Sequence, residues 1–117
     1  MLPRPHKLTS SADFKQTMRR GVRAGSRTLV VHVYAREDLV VRGGPRFGLV
    51  VSKQVGNAVI RHAVSRRLRA VVLAEGVDKL KPHHDVVVRA LPPAATATSE
   101  ELARAFVSAL ARALKKR

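Results

Sequence analysis

Residues Phe47 to Leu73, FGLVVSKQVGNAVIRHAVSRRLRAVVL, decide how the rest of the chain is read. Phe47, Leu49, Val50 and Val51 form a short β-branched run suited to a buried strand, and Ser52-Lys53-Gln54 leads from it to a break at Gly56-Asn57. Beyond the break the pattern is helical. Asn57 can cap the first turn through its side-chain oxygen, no Gly or Pro follows until Gly76, and Gly76 stands where a helix would end. At 3.6 residues per turn, Ile60, Val64, Leu68, Val71 and Val72 gather on one side and His62, Arg66 and Arg69 on another. One side suits a core and the other suits an anion.

No acid lies between Asp38 and Glu75, whereas Arg42, Arg46, Lys53, Arg61, Arg66, Arg67 and Arg69 all do. Arginines on an amphipathic helix are ordinarily its solvated face. Such faces usually mix signs, however, and Glu–Arg pairs four residues apart would stabilise the helix. Like charges at that spacing repel, so the missing counter-charge points to a polyanion.

The whole chain agrees. Its 117 residues suit one domain, 1–117, and carry a formal charge of +15 with a pI near 11.8, which points to nucleic acid. With three Phe, one Tyr and no Trp, the core must come from Val, Leu, Ala and Ile. No apolar run approaches the ~20 residues of a spanning helix and no signal-peptide core follows Met1, so a soluble, cytoplasmic protein without a membrane partner is expected. The absence of Cys excludes disulfides and thiolate metal sites.

Residues 1–9, with Pro3, Pro5, Arg4, His6 and Lys7, read as an extended basic arm. Ser10 can cap a helix with Asp13 in its first turn and Gly21 at its end. Phe14 and Met18 lie one turn apart on it, flanked by Lys15, Arg19 and Arg20. That pair is either core or a stacking surface for single-stranded nucleic acid beside cations. Arg27 to Arg36 alternates as a strand, with Leu29, Val31, Val33 and Ala35 on one face and Thr28, Val30, His32 and Tyr34 on the other, a partly exposed floor. After a loop with Gly43-Gly44-Pro45, the Phe47 strand is expected to return antiparallel to it.

Asp85 to Leu91 is another buried-type strand, with Arg89 as its one charged interior position. Thr98 and Glu101 fit a capping box ahead of a last helix carrying Leu102, Phe106, Leu110 and Leu114, and Lys115, Lys116 and Arg117 suit its negative end. The order helix, strand, strand, helix, strand, helix predicts an α+β fold, a two-layer α/β sandwich. His83-His84-Asp85 lacks metal-ligand spacing, no carboxylate pair or nucleophile with a base is evident, and the glycine turns match no phosphate-binding fingerprint. Catalytic residues and metal ligands are therefore expected to be none.

Gly48-Leu49-Val50-Val51-Ser52-Lys53, Val55-Gly56-Asn57-Ala58-Val59, Arg61 and Arg66-Arg67-Leu68-Arg69 resemble the signature of the bacterial ribonuclease P protein subunit. Leu8, Asp13-Phe14, Gly21 and Asp85 to Ala90 extend the resemblance over nearly the whole chain. It implies a protein that binds the catalytic RNA of ribonuclease P and the 5′ leader of precursor tRNA. The RNA would perform the Mg²⁺-dependent cleavage, with Mg²⁺ held mainly by the RNA and no obligate protein partner. It further implies RNA-subunit contacts through Lys53, Asn57, Arg61, His62, Arg66, Arg67 and Arg69, and a leader cleft of Phe14, Lys15, Met18, His32 and Tyr34. The family fold also implies a left-handed βαβ crossover, against a preference that holds in ≈ 98% of cases. His62 and Ala63 depart from the usual Asn-Arg, Ser65 from a common lysine, Met18 from an aromatic and His32 from an aromatic hydroxyl. The alternative is a general RNA-binding protein such as a ribosomal component, which charge alone equally allows.

Overall fold

The computed structural model describes Leu2, residues 6–36 and residues 44–116. Most of the expected basic arm and the loop before Gly44, including Asp38, Arg42 and Gly43, lie outside the described residues, as does Arg117. The elements are α1 (Ser11–Arg20), β1 (Val22–Gly25), β2 (Leu29–Ala35), β3 (Arg46–Val50), α2 (Ala58–Glu75), β4 (His84–Ala90) and α3 (Ser99–Lys115). No helix among the described residues is long and apolar enough to cross a membrane.

Local capping chemistry sets the helix starts. Ser10 Oγ accepts the Asp13 amide at 3.4 Å, Asn57 Oδ1 accepts the Ile60 amide at 3.0 Å, and Thr98 and Glu101 close a complete capping box at 3.1 and 2.9 Å. Gly76 ends α2, but with right-handed backbone angles rather than the left-handed ones usual for a terminal glycine. Glycine is needed there for space, because a Cβ would sit 2.9 Å from the Phe47 ring.

The four strands form one sheet in the order β1-β2-β4-β3. β3 does run opposite to β2, yet the two are not partners. β4 lies between them, antiparallel to β2 and parallel to β3, with Val86 opposite both Val33 and Phe47. The reason is burial: Val86, Val87 and Val88 have apolar side chains for both faces, which suits a central strand. β1 is an addition to the expected order. Four residues ending in Gly25 carry too little alternation to be read as a strand, and α3 helps to hold them: Arg112 donates to the Gly25 carbonyl at 2.9 Å and Lys116 to the Arg23 carbonyl at 2.7 Å. The basic end of α3 thus also covers a sheet edge.

Leu29, Val31, Val33, Phe47, Val86 and Val88 face the helices α2 and α3, meeting Val64, Leu68, Val72, Leu102, Phe106 and Leu110 in one core. This is the helix-on-sheet layer of the predicted α+β sandwich. Helix α1 adds a partial layer on the opposite face, where Phe14 meets Gly48 and Gln16 donates to the Tyr34 hydroxyl at 3.2 Å. Ile60 was expected in the core and is instead 37% exposed. It lies at the first turn of α2, where a Cβ on Gly56 would touch it.

Candidate nucleic-acid interface

Helix α2 presents its cations in three directions. His62 and Arg66 are exposed on its outer face, with Val59 78% exposed beside them. Arg61, Ser65 and Arg69, spaced four apart, form a half-buried row on the shoulder nearest β3, and the Arg61 Nε has no hydrogen-bond partner among the described residues. Arg67 turns to the other shoulder, where its Nη1 donates to the Ala97 carbonyl at 2.9 Å. The family resemblance places Arg67 among the RNA-subunit contacts; in the structure its Nη1 also ties α2 to the turn before α3. The ion pairs among the described residues join Arg36, Arg46, Lys79 and Arg104 to acids, and none involves Arg61, Arg66 or Arg69. The cationic face is uncompensated, as the acid-free interval predicts.

The Arg61-Ser65-Arg69 shoulder borders a groove of about 490 Å³ whose lining includes Lys7, Phe14, Gly48, Leu49, Ser65 and Arg69. The chain segment through Lys7 makes a bridge to Phe47, with the Leu8 amide donating to the Phe47 carbonyl at 2.9 Å, so it closes one end of the groove against the β3 edge. Phe14 is both packed and available. A Cβ at Gly48 would fall 2.4 Å from its ring, so the aromatic ring rests on bare β3 backbone while also lining the groove. Arg69 and Phe14, assigned to separate surfaces by sequence, therefore share one groove.

The other expected leader residues are dispersed. Lys15 lies on the outward side of α1, lining a shallow depression with Gln16, Arg19 and Arg20. Met18 is half-buried and the Tyr34 hydroxyl is engaged by Gln16. His32 is buried rather than exposed on a floor, and neither ring nitrogen has a partner among the described residues. Burial holds its pKa below the ordinary 6.5, reinforced by the charges of Arg89 and then Arg23. Lys53 and Asn57 are exposed on the approach to α2.

No group of three or more potential metal-ligating side chains forms among the described residues. Within His83-His84-Asp85, the Lys81 amide donates to His84 Nδ1 at 3.1 Å, and Asp85 is engaged by Arg36 and Arg46. That donor set does not fit a protein-held metal. Lys7 and Ser65 in the groove, and Arg23 and Arg89 on the sheet, were not among the residues singled out for binding. Arg89 alone carried a signal, as a charge inside an apolar strand.

A family model described as Ribonuclease P matches residues 2–114. The chain is 56% identical to the ribonuclease P protein component of Corynebacterium diphtheriae over the full length of both, and 54% identical to that of Rhodococcus opacus over 96% of this chain and 91% of the other. Its fold matches the ribonuclease P protein of Staphylococcus aureus with a TM-score of 0.79 at 26% identity, covering 92% of this chain and 94% of that one. The Thermotoga maritima protein matches in fold with a TM-score of 0.72 at 17% identity, over 88% and 93%. Full-length identity above half, the whole-chain family match and the same α+β architecture agree with the uncompensated α2 face, and the chain belongs to the ribonuclease P protein component family.

Proposed function

We propose that this tRNA-processing ribonuclease P subunit binds the catalytic RNA through the exposed and shoulder cations of α2, and binds the 5′ leader of precursor tRNA along the groove beside Phe14. The observation that carries the reading is the face of α2 itself: Arg61, Arg66 and Arg69 stand without ion-pair partners among the described residues, and the shoulder row runs into a groove with an aromatic wall. Lys53, Asn57 and His62 extend the same surface, while Arg67 positions α2 rather than touching RNA. Bond cleavage belongs to the RNA and its Mg²⁺. The protein's own residues neutralise phosphates and orient the strand, with Phe14 offering its ring to a base and Arg69 a charge to the adjoining backbone.

The chemistry of the described side chains supports this division of labour. Asp85, the buried carboxylate, is neutralised by two guanidiniums, and His32 is buried without an acid to orient it as a base. Incubating precursor tRNA with Mg²⁺ and the protein, with and without the cognate RNA, tests the reading. Cleavage is expected only with RNA present and faster with protein added at low Mg²⁺. Cleavage by protein alone, or no stimulation of the RNA, overturns it.

A further inference from the structure

One histidine sits in an unusual setting on the sheet face that carries α1. Leu29, Val31 and Val33 belong to the core under α2 and α3, so alternation turns Val30, His32 and Tyr34 of β2 to the opposite side. His32 is only 3% exposed there, and neither ring nitrogen has a hydrogen-bond partner among the described residues. A buried imidazole ordinarily gives its N–H to a carbonyl or a carboxylate, because leaving it unpaired is costly.

The open charges around the ring are of one sign. Arg23 of β1 stands directly opposite His32, and Arg89 of β4 stands opposite Val30, two residues along β2 on the same face. Neither arginine has an ion pair among the described residues. The acids on this side are engaged elsewhere: Asp85, opposite Tyr34, is held by Arg36 and Arg46, and Asp13 of α1 lies 3.4 Å from Arg46 of β3. The Tyr34 hydroxyl accepts from Gln16, and Lys15, Arg19 and Arg20 of α1 are exposed. Burial and the two arginines thus both disfavour a proton on the ring. The burial is fixed by the fold, but the repulsion is not. Phosphates arriving within about 8 Å act on the ring with little screening and offset the arginine charges.

We propose that RNA binding by this protein is coupled to proton uptake at His32: the ring is neutral in the free protein and becomes charged when phosphates on the α1 side of the sheet offset Arg23 and Arg89. The inference rests on the RNA-binding reading above and adds a control that the arginines and lysines of the interface cannot supply, since they stay charged throughout the physiological range. The coupling is reciprocal: RNA eases protonation of the ring, and acid tightens RNA binding. Above the bound-state pKa the ring is neutral in both states and has no effect on affinity. As pH falls the affinity rises, by about tenfold for each unit that separates the bound from the free pKa.

The test follows the His32 ring resonance of the full chain, labelled at histidine, from about pH 8 to about pH 5.5, alone and with a single-stranded oligoribonucleotide. Affinity and proton uptake, the latter by calorimetry in two buffers of different ionisation enthalpy, are measured in parallel for protein with the RNA subunit and for the assembled complex with precursor and with mature tRNA. The resonance is expected to titrate at higher pH with RNA, and binding to tighten about three- to tenfold across the range. R23Q/R89Q, with both like charges gone, titrates higher in the free state and responds less to RNA. H32Q loses the proton uptake, whereas H62Q, altered at the exposed histidine of α2, retains it. Coupling with the RNA subunit alone assigns the phosphates to that RNA; coupling confined to precursor assigns them to the leader. A resonance that titrates at the same pH with and without RNA overturns the coupling while RNA binding stands, and it does so in the unaltered protein, whether or not H32Q folds. Proton uptake that survives in H32Q and vanishes in H62Q overturns it as well. Failure of the unaltered protein to bind either RNA at about pH 8, where the ring is neutral, overturns the broader reading instead.

Discussion

Arg46 grips Asp85 with two parallel hydrogen bonds, Nε to Oδ1 at 2.8 Å and Nη2 to Oδ2 at 2.7 Å, and the same Nη2 lies 3.4 Å from Asp13 Oδ2 in α1. The guanidinium therefore joins β3, β4 and the helix that carries Phe14. Asp85 is buried and also has Arg36 Nε at 3.3 Å. Replacing Arg46 with Met leaves a buried carboxylate with part of its neutralisation gone. A loss of about 2–3 kcal/mol is expected in urea unfolding, together with weaker leader binding as α1 loosens. A loss under about 0.5 kcal/mol would return Arg46 to the status of an ordinary surface cation.

Gly48 makes the seat for Phe14, since an added Cβ would meet ring carbons at 2.4 Å. Gly48→Ala is expected to cost about 1–3 kcal/mol by overpacking. Phe14→Leu, harmful alone, should relieve part of that cost. Additive losses in the double-mutant cycle would show that the two positions do not press on each other.

Arg67 and the pair Arg66/Arg69 are expected to separate cleanly. Replacing Arg66 and Arg69 together by Ala should flatten the salt dependence of RNA binding by about 1.4–1.8 with little change in stability. Arg67→Ala should leave the slope alone and lower stability by about 1 kcal/mol, because the buried Ala97 loses the donor at its carbonyl. The reverse pattern in binding titrations and thermal melts would exchange their roles.

His32 predicts an acid-side loss of stability. Its folded pKa lies below the ordinary 6.5, so the unfolded chain takes up a proton that the folded chain refuses. Stability is full above that pH, declines as pH falls through it, and stops declining once the folded protein is protonated too. Glu101 acts lower: its capping hydrogen bonds from Thr98 depress its pKa below the usual 4.5, so its contribution is present above that value and fades as pH falls through the folded pKa. Unfolding free energies at pH 7.5 and pH 5, values chosen about one unit above and about one and a half below the histidine reference, should differ less for His32→Leu than for the unaltered protein. An equal difference would place His32 in contact with water.

The start of each helix was legible in sequence because capping is local: Asn57 and Thr98 meet amides three residues ahead, whatever the rest of the chain does. The cationic face of α2 was legible for the same reason, since helical periodicity alone gathers His62, Arg66 and Arg69. What the tertiary structure decided involves residues far apart in the chain. β4 entered between β2 and β3 because its valines can be buried on both faces, and β1 became a strand with Arg112 and Lys116 of α3 supplying its outer carbonyls with donors. Ile60 is left partly exposed although periodicity places it with the core residues, and Arg67, which periodicity does not place, has its Nη1 held by the Ala97 carbonyl. Periodicity places a side chain at an angle around its own axis; which angles meet protein, solvent or an empty groove depends on partners that only the folded chain brings near.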